Sequence, residues 1–308
     1  MMALPGMRQV LTALFLSVSI RVHKGRTPDM YTLGGSARYA QEMGLLGETP
    51  PDWPRLGVPE IDSATHGFAP GTVGVVGAHT SVGKSSLALW CMMNSDCPQG
   101  IISLEDSPSI LGQKAVCAEA GLSFRKLLDG VPSHLQQQVE DTIEKLDADG
   151  RHLPLVDWGL GYDVEKIGHA IERLAKAGCK MIWIDYLQKI RQPAEADRRT
   201  AINGAWAVIQ QSAVKHHVCI AAISQLGRNA SKRDPDIHAL KESGDLENEA
   251  RWIVMLWQDE GDVLCCSLRK NVWGGTGATG IFRRDNQGNL RHSSEVDAFG
   301  DWRRDGTE

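Results

Sequence analysis

The run Val75-Val76-Gly77-Ala78-His79-Thr80-Ser81-Val82-Gly83-Lys84-Ser85-Ser86 gathers the residue types that hold a chain of phosphates. A loop that follows a strand can turn its backbone N–H groups inward. Gly83 lets that backbone come close, Lys84 reaches the outer phosphates, and Ser85 offers a hydroxyl to Mg²⁺. The helix expected from Lys84 onward adds the positive end of its dipole. The strict pattern has Gly where Ala78 stands, with Gly77 one residue earlier. The bland alternative is a Gly/Ser-rich turn before an ordinary helix. The apolar strand in front and the unbroken helical run behind argue against it. Ala78, His79, Thr80, Ser81, Val82, Gly83, Lys84, Ser85 and Ser86 are the expected nucleotide cradle, with ATP and Mg²⁺ as its ligands.

Phosphate transfer from such a loop needs a metal-holding acid and a water-activating group. Met181-Ile-Trp-Ile-Asp185 is apolar until its last residue, which puts a carboxylate at a strand end, where open α/β sheets bind ligands. Asp185 is the expected partner of Ser85 around the metal. Ser103-Leu104-Glu105 ends another short strand, and Glu105 is placed to polarise water. Ile223-Ser224-Gln225 ends a third, where an amide could sense a terminal phosphate.

Strands and helices alternate around these positions. Short apolar runs at 72–78, 100–104, 180–185 and 218–223 predict buried strands. Helical spacing predicts helices over 84–91, 110–121, 135–146, 164–174 and 202–213. Three more strands, 253–257, 263–268 and 279–282, follow with short turns. The pattern predicts an α/β fold with a mostly parallel twisted sheet, helices on its faces and antiparallel strands at one edge. Residues 1–54 read as a leader with a short helix over 36–46, residues 55–292 as the catalytic domain, and 293–308 as a polar tail. Val10–Ile20 is apolar but shorter than the roughly 20 residues that span a bilayer, and basic residues replace a cleavage site behind it. No membrane partner is expected. Seven cysteines without C-x-x-C pairing, several inside apolar runs, read as reduced buried thiols in a cytoplasmic protein. A hydrophobic share of 42% excludes a disordered chain, and a net charge of −5 excludes an all-over basic surface for nucleic acid.

Taken together, these stretches resemble the C-terminal ATPase domain of DnaB-family replicative helicases, from about Leu56 to Arg291. Leu56-Gly-Val-Pro-Glu-Ile-Asp62 with Gly67-Phe-Ala-Pro-Gly71 is similar to the segment before the family's phosphate loop. Ile102-Ser-Leu-Glu105 resembles its catalytic-glutamate motif, and Ile184-Asp-Tyr-Leu-Gln188 its metal-acid motif with the characteristic continuation. Ser224-Gln-Leu226 resembles its third motif, and Leu240-Lys-Glu-Ser-Gly-Asp-Leu-Glu-Asn-Glu249 its DNA-loop segment. The resemblance implies a RecA-like fold and a homo-oligomeric, hexameric ring that uses ATP to move on single-stranded DNA during replication. Lys84 and Ser85 would hold phosphates and Mg²⁺, Glu105 would act as general base, and Gln225 would couple phosphate state to the DNA loops. Lys241, Glu242 and Gly244 would lie along the channel. Arg228, Lys232 and Arg233 add positive charge there, and Arg191, Arg198 and Arg199 form a second basic cluster.

Two departures stand out. The family carries Lys-x-Arg before a Gly-rich turn, its Arg reaching the neighbouring subunit's nucleotide. Here the run is Lys270-Asn-Val272-Trp-Gly-Gly, so Arg269 or Lys270 would have to substitute, or hydrolysis is weak. The helical N-terminal domain that meets primase also has no counterpart in the leader. A primase or helicase loader remains an expected partner. The rival reading is an ATP-binding loader, scaffold or regulatory module that does not unwind. A RecA-like recombination ATPase is disfavoured by the Asp-Tyr-Leu-Gln and Glu-Ser-Gly runs.

Overall fold

The computed structural model describes residues 33–42, 46, 52–148, 155–191, 198–227, 230–243, 246–260 and 263–294. The chain divides into two units, Met1–Asp52 and Trp53–Glu308. In the first, one helix, α1 (Leu33–Glu42), is described. It begins three residues before the helix expected there. The apolar run Val10–Ile20 lies outside the described residues.

The second unit is built on a nine-stranded sheet. Its strands are β1 (Val73–Ala78), β2 (Gln99–Ser103), β3 (Leu155–Trp158), β4 (Met181–Asp185) and β5 (Cys219–Gln225), then β6 (Trp252–Gln258), β7 (Leu264–Asn271), β8 (Thr279–Arg284) and β9 (Leu290–His292). Their order in space is β3-β2-β4-β5-β1-β6-β7-β8-β9. The first six are parallel, and β7, β8 and β9 follow β6, each antiparallel to the strand before it. This is the expected mixed sheet. Two strands were not foreseen. β3 is an edge strand whose alternate residues face solvent, so its Leu-Val-Asp-Trp lacks the continuous apolar run of a central strand. β9 is three residues long.

Each parallel strand feeds both layers of the core because successive side chains point to opposite faces. Val73, Val75, Ile182, Ile184, Ile220 and Ala222 pack on one side. Val76, Ala78, Met181, Trp183, Cys219, Ala221 and Ile223 pack on the other. The first side is covered by α7 (Val164–Lys176) and α8 (Arg198–His216), the second by α2 (Pro59–Thr65), α3 (Lys84–Asn94) and α4 (Pro108–Ala120). Two short helices, α5 (Phe124–Leu128) and α9 (Leu246–Glu249), and the longer α6 (Gln136–Ala148) complete the unit. α7 starts where Asp163 accepts the Lys166 N–H at 3.0 Å, and it buries Ile167, Ala170, Ile171 and Leu174. Gly74 is obligatory for another reason: a Cβ there would lie 1.9 Å from the Trp252 ring, which fills the space beside β1. No helix among the described residues is long and apolar enough to cross a membrane.

Candidate nucleotide site

Parallel pairing puts the C-terminal ends of β2, β4, β5 and β1 side by side, and the chemistry-bearing residues lie there. Ser103 is registered with Asp185, and Ala78 with Gln225. The loop after β1 therefore sits next to Gln225 at the end of β5, then Asp185 at the end of β4, then Glu105 two residues beyond β2. The Leu104 N–H donates to the Asp185 carbonyl at 2.9 Å, and the Leu226 N–H to the Ala78 carbonyl at 3.0 Å. These bonds lock the loop starts together.

The loop bends back through Ser81 (φ 65°) and Gly83 (φ 114°) before α3 begins at Lys84. The left-handed geometry at Gly83 is one that glycine adopts without the Cβ penalty. Lys84 Nζ donates to the His79 carbonyl at 3.1 Å and lies 5.7 Å from the centre of the Tyr186 ring. Burial pushes the Lys84 ammonium below its ordinary range, opposed by the charges of Asp185 and Glu105. Burial also pushes the Asp185 carboxyl above its ordinary range, opposed by a hydrogen bond with Ser85 and by the Lys84 charge. Asp185 is 2% exposed, and its Oδ1 has no hydrogen-bond partner among the described residues. A buried carboxylate oxygen without a donor, beside a serine hydroxyl, matches the oxygen donor set of a small hard cation such as Mg²⁺.

Glu105 is half exposed and faces Lys189 across 3.8 Å. Gln225 Nε2 donates to Thr80 Oγ1 at 2.7 Å, tying the end of β5 to the phosphate loop. Behind it stands Gln188. Its Nε2 donates to Ser224 Oγ at 2.9 Å and to the Gln225 carbonyl at 3.3 Å, while its Oε1 accepts the Gln225 N–H at 3.1 Å. Thr80, Ser81, Gly83, Lys84, Ser85, Ser86, Glu105 and Gln225 line one cavity of about 340 Å³, joined there by Asp106, Lys114, Tyr186 and Arg284. The last four were not singled out from the sequence. Tyr186 sits inside the Asp-Tyr-Leu-Gln run, and that continuation was its signal. Arg284 lies far along the chain from the phosphate loop and has no local signature.

The basic residues of the expected channel are described only in part. Arg228 and Gly244 lie outside the described residues, as do the side chains of Arg198, Arg199, Lys241 and Glu242. Lys232 and Arg233 are exposed. Arg233 is ion-paired with Glu260 at 2.9 Å and with Asp259 at 3.8 Å. The segment they occupy touches the phosphate loop where His79 Nε2 bonds the Ser231 carbonyl at 3.0 Å.

Arg269 and Lys270 do not line this cavity. Arg269 pairs with Asp234 and lies over the Trp257 ring at 5.2 Å. Lys270 Nζ donates to the carbonyls of Glu247 at 2.7 Å and Asn248 at 2.9 Å. Val272 and Trp273 are both 45% exposed on the turn beyond.

Comparison with known proteins agrees with this architecture. Residues 55–272 match the model of the DnaB-like helicase C terminal domain. The chain is 28% identical over 215 residues to the replicative DNA helicase DnaC of Bacillus subtilis (strain 168), covering 66% of this chain and 47% of that protein. It is 26% identical over 270 residues to a probable plasmid replicative DNA helicase of Chlamydia trachomatis serovar L2, covering 82% and 59%. The chain thus spans about half the length of the curated relatives it matches. Among solved structures, one described as an ATPase domain superposes with a TM-score of 0.74 at 20% identity, covering 85% of this chain and 99% of that one. A DnaB-like replicative helicase, described with its interactions with primase, superposes at 0.71 and 20% identity, covering 90% and 70%. The fold is therefore the RecA-like ATPase core expected from the motifs.

Proposed function

The chain belongs to the DnaB-like helicase C-terminal domain family, and from that premise we propose that it is an ATP-dependent DNA helicase acting in replication, a homo-oligomeric, hexameric ring that moves on single-stranded DNA. The observation that carries this reading is the line of Lys84, Gln225, Asp185 and Glu105 along one end of four adjacent parallel strands.

In this reading ATP lies along the loop 78–86. Backbone N–H groups and the start of α3 hold its phosphates, and Lys84 leaves the His79 carbonyl to reach the outer ones. Ser85 and Asp185 would hold Mg²⁺, which neutralises phosphate charge when bound. Glu105 accepts a proton from the attacking water. Its exposed carboxylate and the nearby Lys189 leave room for that water. Gln225 touches Thr80 and is clamped by Gln188, so a change at the outer phosphate reaches the end of β5. Beyond that end come Lys232, Arg233 and Lys241, which with Arg228, Glu242 and Gly244 are the proposed contacts to the DNA backbone. A second link from nucleotide to this segment runs through His79 and Ser231. Arg269 and Lys270 remain candidates for contact with a neighbouring subunit's nucleotide; either would have to leave its present partners to do so. Primase or a helicase loader is the proposed partner.

The test is unwinding of a forked duplex by the full chain with ATP, paired with native mass measured with a non-hydrolysable ATP analogue. The proposal expects strand separation and a six-subunit mass. ATP hydrolysis stimulated by single-stranded DNA without unwinding would contradict the helicase reading and favour a loader.

A further inference from the structure

The cavity at the phosphate loop is lined by a cation, Arg284, that the motifs do not account for. Arg284 ends β8, three strands away from the strand that carries the phosphate loop in sheet order. A Cβ built on Gly83 would lie 3.2 Å from an Arg284 Nη. The guanidinium thus stands against the backbone that turns into α3.

Its position is fixed by a stiff turn. Arg284 Nη1 donates to the Gly288 carbonyl at 2.9 Å. The turn between β8 and β9 is braced by Asp285, whose Oδ1 accepts the N–H groups of Gln287 and Asn289, each at 2.9 Å. Asp285 Oδ2 takes Arg291 Nε at 3.1 Å. Asn289 Nδ2 anchors the turn to the Leu122 carbonyl at 2.9 Å. A preorganised arginine loses less freedom on meeting an anion than a free one.

The charges on the cavity wall point the same way. Lys84, Lys114 and Arg284 face Glu105 and Asp106, and Lys114 is held by Asp106 at 2.5 Å. Without Arg284 the lysines, with Lys189 beside Glu105, only balance the carboxylates Glu105, Asp106 and the buried Asp185, a poor site for a polyanion. We propose that Arg284 is a nucleotide-binding residue supplied within the subunit, its guanidinium donating to the phosphate chain of the triphosphate held by the loop 78–86. This rests on the nucleotide reading of that loop and adds a residue from the antiparallel edge to it. The guanidinium keeps its bond to Gly288 and uses its other N–H groups for the phosphate oxygens, so the turn between β8 and β9 becomes part of the binding site.

The test is equilibrium binding of a fluorescent ATP analogue to the full chain, with displacement by inorganic tripolyphosphate. Arg284→Ala and Arg284→Gln are expected to weaken both by about tenfold to a hundredfold, the range for hydrogen bonds to a charged group. Arg284→Lys is expected to recover part of the loss. Lys84→Ala serves as the binding-deficient reference, and Arg125→Ala, at an exposed residue outside the cavity lining, as the charge-change control. Arg284→Ala and Arg284→Gln binding the analogue within twofold of the unsubstituted chain would overturn the proposal. Tripolyphosphate displacement unchanged while analogue binding weakens would overturn the phosphate assignment. An unsubstituted chain that binds no nucleotide would overturn the underlying reading of the loop, an outcome distinct from either.

Discussion

Gln188 offers the sharpest test of how nucleotide state leaves the site. The Gln188→Ala change removes three hydrogen bonds to Ser224 and Gln225, at 2.9, 3.3 and 3.1 Å. Each contributes about 1 kcal/mol net. The sum is about 3 kcal/mol. For a unit of this size that lowers the melting temperature by about 6–12 °C. The strand itself survives, because β5 is buried between β1 and β4 and paired with both. The Gln225 side chain loses its fixed approach to Thr80, while Lys84 and Ser85 are untouched. Nucleotide affinity is therefore expected to hold within a few-fold, and stimulation of ATP hydrolysis by single-stranded DNA is expected to fall by about tenfold or more. Gln188→Glu should lie between, since its carboxylate can still accept one bond but cannot donate. The assay is a melting curve plus hydrolysis with and without single-stranded DNA. A variant that melts with the parent chain and keeps full stimulation would refute the clamp.

Three further outcomes are expected. Gly74→Ala should destabilise the fold by about 1–3 kcal/mol or more in a denaturant titration, because the new methyl overlaps the Trp252 ring; a change below about 1 kcal/mol contradicts the close approach. Burial pushes the Asp62 carboxyl up to about 6, against two backbone N–H bonds from Leu56 and Gly57. A raised folded pKa means the folded state holds the proton more tightly, so this contribution is present at low pH and is lost as pH rises from about 4 through about 6. Stability differences between Asp62→Asn and the parent chain should change over that window, and a pH-independent difference contradicts it. Cys219 has its thiol pushed up to about 12 by burial, and Cys266 is pushed higher still. Neither should react with iodoacetamide at pH 8 in the folded chain, whereas Cys97, only partly buried, should react first.

The central sheet was legible because its strands are continuous apolar runs that end in chemistry: Val73–Ala78 before the loop, Met181–Asp185 with its terminal acid, Cys219–Gln225 with its amide. Buried parallel strands need such runs, and each run pointed to its own end. β3 was missed because an edge strand can mix Asp157 with Leu155 and stay half wet. The starting residue of α1 differed by three positions, element boundaries being what a sequence pattern fixes least. In the site, residues close in sequence to the glycine-lysine-serine turn or at the end of a predicted strand were found. Gln188 was quoted as part of a run, but only the structure gives its three bonds to the end of β5. Arg284 was invisible, because what brings it to Gly83 is the order of strands rather than any spacing along the chain. Of the basic loop residues, Arg233 is paired with two acids, Asp259 and Glu260, and the finger candidate Arg269 is paired with Asp234. Positive charge counted along a sequence does not reveal which carboxylates the fold sets against it.

The most direct test of the account is ATP turnover by the full chain and by Glu105→Gln, each with and without single-stranded DNA, alongside nucleotide affinity. The account predicts hydrolysis that single-stranded DNA accelerates in the parent chain. It predicts a loss of about 10²- to 10⁴-fold in Glu105→Gln with affinity unchanged, the range for removing a general base. Turnover equal in the two chains, or a parent chain that binds ATP and never hydrolyses it, would contradict the assignment of these strand ends as a hydrolytic site.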